Sequence, residues 1–285
     1  MFINPGYAGN SGSICGTLLH REQWMGFDGR PKTSLVSANM PFEFPDDVMS
    51  GVGLNIYSDG LGFENNFGFN ANYAYRLEVG PGQLGLGLSV GILNKSLDAE
   101  WITPDFLLSS GQVGITSDPA LPENDSHMSL DLGFGAFYGA DNFYVGISTT
   151  HLNQAEIKYS GIDTVPFIKR HFYISAGYFY QLPNPLFELQ PSLLVKTDGP
   201  TAQVDLNALL LYNKTFWGGL SYRFEESVVV IAGATLPMNL KIGLGYDINI
   251  SDIGRYSNGT LEIMINYCFD IVKDTRHGSY RSVRY

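Results

Sequence analysis

Apolar residues alternate with polar or small ones along most of the chain. From Leu240 the apolar set is Leu240, Ile242, Leu244, Tyr246, Ile248 and Ile250, with Lys241, Gly243, Gly245, Asp247 and Asn249 between them. The same period of two runs through Phe67, Phe69, Ala71, Tyr73 and Tyr75, through Leu84 to Ile92, through Met128 to Tyr138, through Val204 to Tyr212 and through Leu261 to Phe269. A strand sends two such sets to opposite faces. Fourteen segments of this kind are drawn, at about 12–23, 32–42, 48–58, 66–78, 83–95, 127–139, 142–151, 169–181, 187–197, 202–213, 215–224, 227–235, 238–250 and 259–269. Most exceed the ~5–6 residues of an ordinary strand and reach the ~9–11 that cross a bilayer at a tilt. An even count is what a single-chain bacterial barrel requires.

The connections sort by length. With the first strand running outward, the inner turns are short, at 43–47, 79–82, 140–141, 182–186, 214 and 236–237. The outer connections include 24–31, 59–65, 96–126, 152–168 and 251–258, and two near Asp198 and Glu225 are short. Membrane barrels have this asymmetry; a soluble sandwich or propeller has no reason for it. Aromatics gather at the ends: Tyr75, Tyr138, Phe143, Tyr178, Tyr180, Tyr212, Phe216, Tyr267 and Phe269 beside the short turns, and Trp24, Tyr57, Trp101, Tyr222 and Tyr256 towards the other rim. The prediction is a single all-β domain over 1–285, a 14-stranded antiparallel transmembrane β-barrel. Its strands occupy about 12–269, both termini are periplasmic, and 270–285 forms a periplasmic tail.

Composition agrees. The 285 residues include 33 Gly, 17 Tyr and 18 Phe, and only 16% are charged. No apolar run approaches the ~18 residues of a membrane helix. A net charge of −11 argues against nucleic acid as a partner. The first residues, MFINPGYAGN, have no basic n-region and no long apolar stretch. If the chain is exported, a signal peptide has been removed or Met1 is an internal position.

Candidate chemistry is sparse. Nucleophile–base constellations and nucleotide or zinc motifs are not found, and no enzyme activity, cofactor or metal is expected. The glycines of GVGLN, GLGLSVG and GFGAFYG read as small positions on the inner face or at bends. The five histidines (His20, His127, His151, His171, His277) read as rim or polar-interior residues. Asn70, Asp131, Gln190, Lys196, Asp205, Asn207, Arg223, Lys241, Asp247, Glu262 and Asn266 fall on the inward face. The plainer expectation is a polar lumen whose charges pair across strands; a channel or docking cavity is the sharper one. Between Lys95 and Lys158 there are acids and no bases, most of the acids in the outer loop 96–126. Trp24, Phe27 and Asp28 at the rim, with Asp105 and Asp118 in that loop, form the expected outward contact surface. The basic tail carries Arg276, Arg281 and Arg284, and its alternation with Tyr280, Val283 and Tyr285 suggests that it is bound rather than loose. Closure makes the first and last strands neighbours, which brings Cys15 and Cys268 to one rim. An oxidising periplasm permits a disulfide there, and two separate small buried residues is the plainer expectation.

The opening NPGYAG at 4–9 resembles the N-terminal motif of the PorP/SprF family of type IX secretion system outer-membrane proteins. So does the first hairpin loop, REQWMGFDGRPKT at 21–33, and GVGLNIYSDGLG, YVGISTTHL, LQPSLLVK, DLNALLLY, WGGLSYR and the terminal YRSVRY follow in family order. Family members usually carry a signal peptide and a short polar segment ahead of the motif, whereas here Met1 stands almost at it. The resemblance implies an outer-membrane location and a role in secretion and surface anchoring, including in gliding bacteria. The implied partners are lipid, a secreted adhesin-like substrate with a C-terminal sorting domain, and a periplasmic peptidoglycan-binding lipoprotein. The alternative is a transport barrel or passive pore for small or hydrophobic solutes. A fatty-acid transporter builds its hatch from a substantial N-terminal domain, and only about ten residues precede the first strand here.

Overall fold

The structure is a computed structural model that describes residues 1–44, 48–98, 124–157 and 167–269. The strands are β1 (Ile14–Glu22), β2 (Lys32–Phe44), β3 (Val48–Leu61), β4 (Glu64–Val79), β5 (Gly82–Leu97), β6 (Asp125–Ala140), β7 (Phe143–Thr150), β8 (His171–Tyr178 with Tyr180–Gln181), β9 (Phe187–Thr197), β10 (Ala202–Tyr212), β11 (Phe216–Arg223), β12 (Ser227–Leu236), β13 (Leu240–Asn249) and β14 (Thr260–Phe269). Each pairs antiparallel with its chain neighbours, and β1 pairs with β14 from Ile14↔Phe269 to Glu22↔Leu261, which closes the barrel. The two pieces of β8 share one register against β9. The ladder lapses where Pro191, which has no N–H to give, falls opposite Tyr178.

The alternation appears in three dimensions. On β4, Phe67, Phe69, Tyr73, Tyr75 and Leu77 are exposed on the lipid side, while Asn70, Asn72, Ala74 and Arg76 are buried on the lumen side. The same holds for Leu86, Leu88, Val90 and Ile92 of β5 and for Leu244, Tyr246 and Ile248 of β13. In water such a surface would be an aggregation liability; in a bilayer it is the face the lipid covers. One rim carries the short turns. Asn213 and Lys214 turn β10 into β11 with φ of 48° and 54°, Gly80 turns β4 into β5, and Met238 and Asn239 turn β12 into β13. A type I′ hairpin turn needs positive φ at both central residues, and a type II′ turn at the first.

Three expectations change. The outer loop at 59–65 is a tight turn at Gly62 and Phe63, because β3 and β4 carry their pairing on to Leu61↔Glu64. At 16 residues, β4, β5 and β6 are longer than a tilted span requires, so this side of the wall stands proud of the bilayer. Tyr57 belongs to the lumen rather than to an aromatic belt. It is buried, and its ring meets Phe2 edge-on with centroids 5.0 Å apart. The residues ahead of β1 do not trail from the rim: they turn back into the barrel. Met1, Tyr7 and Ala8 form one buried cluster with Ala74, Phe137, Tyr144 and Phe179. The hydrophobic core of the molecule therefore lies inside the lumen, between this segment and the wall.

Candidate functional site

The site is the lumen, and its first half is filled by NPGYAG. Each residue of the motif has a physical task. Asn4 accepts from the Gly6 N–H (2.9 Å), capping the single 3-10 turn Pro5–Tyr7, and its Nδ2 donates to the carbonyls of Ala136 (3.1 Å) and Ile147 (3.3 Å). Pro5 supplies the fixed φ of the first helical position. A Cβ on Gly6 would fall 2.7 Å from the Gly85 carbonyl oxygen and 2.9 Å from the Phe137 nitrogen. Tyr7 packs edge-to-face on Phe137, with centroids 5.1 Å apart. Ala8 is fully buried. Gly9, at φ +70°, turns the chain towards the rim where β1 begins.

The wall beneath is built for this segment. Gly51 of β3 lies against Ala8, Gly85 and Gly87 of β5 against Pro5 and Gly6, and Gly135 of β6 against Asn4. At each of these wall glycines a side chain would overlap the segment, in every case but Gly135 its backbone. Arg76 of β4 holds the far end. Its Nε and Nη2 donate to the Ala8 carbonyl (3.2 and 2.7 Å), Nη2 also to the Tyr7 carbonyl (3.2 Å), and Nη1 to Asn10 Oδ1 (3.1 Å) and Gln83 Oε1 (3.4 Å). The guanidinium satisfies the Ala8 carbonyl, which would otherwise be buried without a donor, and adds a second donor to that of Tyr7, which also accepts from the Asn10 N–H (2.9 Å). Ser148 Oγ donates to the Ile3 carbonyl (2.7 Å).

The second half of the lumen is a cavity of about 260 Å³. It runs from Trp217 and Phe179, near the short turns, to Arg21, Asp205 and Arg223, near the long loops. At its outer end the charges pair across strands. Arg21 donates to Asp247 (2.7 Å) and Glu262 (3.0 Å), and Arg223 to Asp205 (3.2 Å), Asp247 (3.2 Å) and Glu226 (3.3 Å). On the plugged side, Asp131 accepts from Asn70 (3.1 Å) and meets His151 Nδ1 at 2.8 Å. The inward polar set read from the sequence is thus largely an ion-pair and amide network. Replacing Arg21 by Ala leaves Glu262 without its cation and Asp247 with Arg223 alone. Urea unfolding in lipid is expected to show a loss of about 2 kcal/mol, below the ~3–5 of a fully buried pair because Glu262 is partly wet.

A family model described as type IX secretion system membrane protein PorP/SprF matches residues 1–267. The chain belongs to that family. The match takes in both the plug and the barrel that receives it. No protein of curated function matches the chain. Among solved structures it is similar to a variant porin of Rhodopseudomonas blastica, at 9% identity and a TM-score of 0.37, covering 90% of this chain and 99% of the porin. It is also similar to BamA from Haemophilus ducreyi lacking POTRA domains 1–3, at 9% identity and a TM-score of 0.48, covering 91% of this chain and 70% of that one.

In this PorP/SprF barrel the sequence-derived contact residues are scattered. Trp24 is half-buried between loops: its backbone N–H donates to Thr260 Oγ1 (3.1 Å), and neighbouring Met25 exchanges backbone bonds with Gly259 and Asn258. The Gly62 N–H donates to the Gly29 carbonyl (2.8 Å), so the first hairpin loop joins both neighbouring loops into one rim. Phe27 is half-buried and Asp28 exposed on that rim. Asp105 and Asp118, and Arg276, Arg281 and Arg284, lie outside the described residues. Cys15 and Cys268 are register partners at the β1–β14 seam, with Cα atoms 4.1 Å apart and their sulfurs bonded. Sequence reasoning missed the plug. Its signal was the coincidence of NPGYAG with Gly-x-Gly runs on strands far along the chain.

Proposed function

We propose that this barrel is a non-enzymatic docking component of the type IX secretion system in the outer membrane, rather than a pore. It binds or anchors a secreted adhesin-like substrate bearing a C-terminal sorting domain, and links the machinery to a peptidoglycan-binding lipoprotein on the periplasmic side. One observation carries the reading: the family's own N-terminal motif occupies the lumen against β3 to β7, and its fit to the wall needs glycines at Gly51, Gly85, Gly87 and Gly135. A barrel whose lumen is half filled by its own chain is suited to present surfaces at its two rims. The outer rim, with Trp24, Phe27 and Asp28 and the acidic loop that carries Asp105 and Asp118, is the proposed substrate side.

Affinity purification of the full chain from native membranes tests this. The expected result is co-purification of a large secreted protein with a sorting domain, or of a peptidoglycan-binding lipoprotein. Recovery of the barrel alone, with steady solute conductance in planar bilayers, would favour the transport reading instead, for which the 260 Å³ cavity would be the route.

A further inference from the structure

We propose that the lumen cavity is a binding site for a phospholipid acyl chain, which enters sideways from the bilayer through the seam between β8 and β9, with Tyr144 as its gate. The seam lacks one rung. The Leu182 N–H donates to the Phe187 carbonyl (3.1 Å), so bonded pairs recur there at every second residue, at Tyr180↔Leu189, Tyr178↔Pro191 and Ala176↔Leu193. Pro191 has no N–H to give the Tyr178 carbonyl. Over the four residues from Ala176 to Tyr180, about 13 Å of strand, at most one bond lies between the end pairs, from the Tyr178 N–H to the Pro191 carbonyl. The wall is also thin. On its lipid side lies an open hollow of about 650 Å³, because Ala176 and Pro191 are small while Phe143, Val145, Tyr178 and Leu206 stand around them. The inner cavity shares Tyr144, Tyr178, Pro191, Ser192, Leu193 and Asn207 with this hollow. Inside, the Tyr144 ring covers Gly177, where a Cβ would fall 2.3 Å from a ring carbon, and its hydroxyl is hydrogen-bonded to Ser192 across the seam. Rotation of this one side chain uncovers the wall. Tyr144 stacks on Phe137 (centroids 5.8 Å), the ring that holds Tyr7 of the N-terminal segment (5.1 Å), so the plug braces the gate.

Behind the gate the cavity is lined by Phe179, Leu209, Trp217, Val229, Ile231 and Met264. Apolar cavities hold water poorly and take apolar guests. At about 260 Å³ this one falls below the ~300 Å³ at which small-ligand pockets begin, so it has room for the end of a chain and not for a whole lipid. The bilayer is the source, because the hollow faces it. Gly177 lies five residues from Leu182, where the short turn begins, about 17 Å along the strand and about 12 Å deep at a tilt of ~45°. That is the level of the acyl chains in the periplasmic leaflet, with the headgroup left at the rim beside Tyr178 and Tyr180. The ion-paired Arg21 and Arg223 at the far end offer an apolar chain nothing, so the chain stops short of them: the site holds a lipid and does not conduct.

The test uses the full chain in nanodiscs that contain a phosphatidylcholine with a diazirine at the end of one acyl chain. After irradiation, mass spectrometry assigns the adducts residue by residue. The expected result is adducts on the lumen-facing Leu209 or Met264 as well as on the lipid-facing Leu206. Pro191→Val restores the ladder N–H and fills the hollow from outside while leaving the lumen side chains untouched. It should cut the lumen adducts about fivefold, the factor that one net hydrogen bond gives. Tyr144→Ala should raise them by a similar factor. Adducts confined to lipid-facing side chains, or lumen adducts that Pro191→Val leaves unchanged, would each overturn the proposal, whatever co-purifies with the barrel.

Discussion

Replacing Cys15 and Cys268 together by serine is expected to give the largest loss of stability of any two-residue change in the barrel. The bond ties residues 253 apart in sequence. In the chain-entropy account a loop of that size constrains the unfolded chain by about 5 kcal/mol. The bond also sits at the one seam whose strands are not consecutive. Every other strand pair is held together by a turn or loop, whereas β1 and β14 meet only by closure, through the ladder from Ile14↔Phe269 to Glu22↔Leu261. At the short-turn end this ladder has the disulfide one residue from its last pair, and at the other end Arg21 reaches across to Glu262. The serine variant should still close, because the ladder and Arg21 remain, but its urea midpoint in lipid should fall to that of the reduced wild type. Two alkylatable thiols in the unreduced wild type, or identical midpoints with and without reductant, would show that the seam holds without the bond.

The second large effect is expected at Gly87. A side chain there overlaps the Gly6 nitrogen and the Pro5 carbonyl carbon. Both belong to a segment pinned at one end by Asn4 on β6 and β7 and at the other by Arg76, so neither side has room to give. Gly87→Val should therefore release the segment rather than shift it. The cost combines overpacking with the loss of the Arg76 and Asn4 bonds, about 3 kcal/mol or more. Residues 1–10 should become accessible to protease, and ion conductance through the barrel should rise. Gly16→Val is the control, because nothing lies within 4 Å of a Cβ at Gly16 on the lipid-facing side of β1. Arg76→Ala should reproduce the protease sensitivity by a different route, since it leaves the buried Ala8 carbonyl without its donor. A Gly87→Val barrel with a protected N-terminal segment and unchanged conductance would mean that the segment is not the plug.

The strand set was legible in the sequence because a period of two is a local property. Which residues of β4 face lipid follows from Phe67, Phe69, Tyr73 and Tyr75 alone, whatever lies across the lumen. The neighbours of β1 likewise follow from chain order once closure is assumed, and Cys15 and Cys268 come to one rim by that argument. What the local pattern could not supply were relations between distant residues. The loop at 59–65 became a tight turn because pairing between β3 and β4 runs on through positions with no apolar signal, such as Asp59↔Asn66 and Gly60↔Asn65. Arg21 finds Asp247 at a separation of 226 residues, and Arg76 finds the Ala8 carbonyl at 68. Glycine is silent in a hydrophobicity pattern, so Gly51, Gly85, Gly87 and Gly135 read as neutral small positions. Only the folded wall reveals that they form one surface, cut to the backbone of NPGYAG. The sequence by itself determined a closed barrel and its lipid face, since each strand's alternation is complete within that strand. Tertiary structure alone decided what fills the barrel, since a plug is defined by groups on five strands, β3 to β7, that form one surface only in the folded wall.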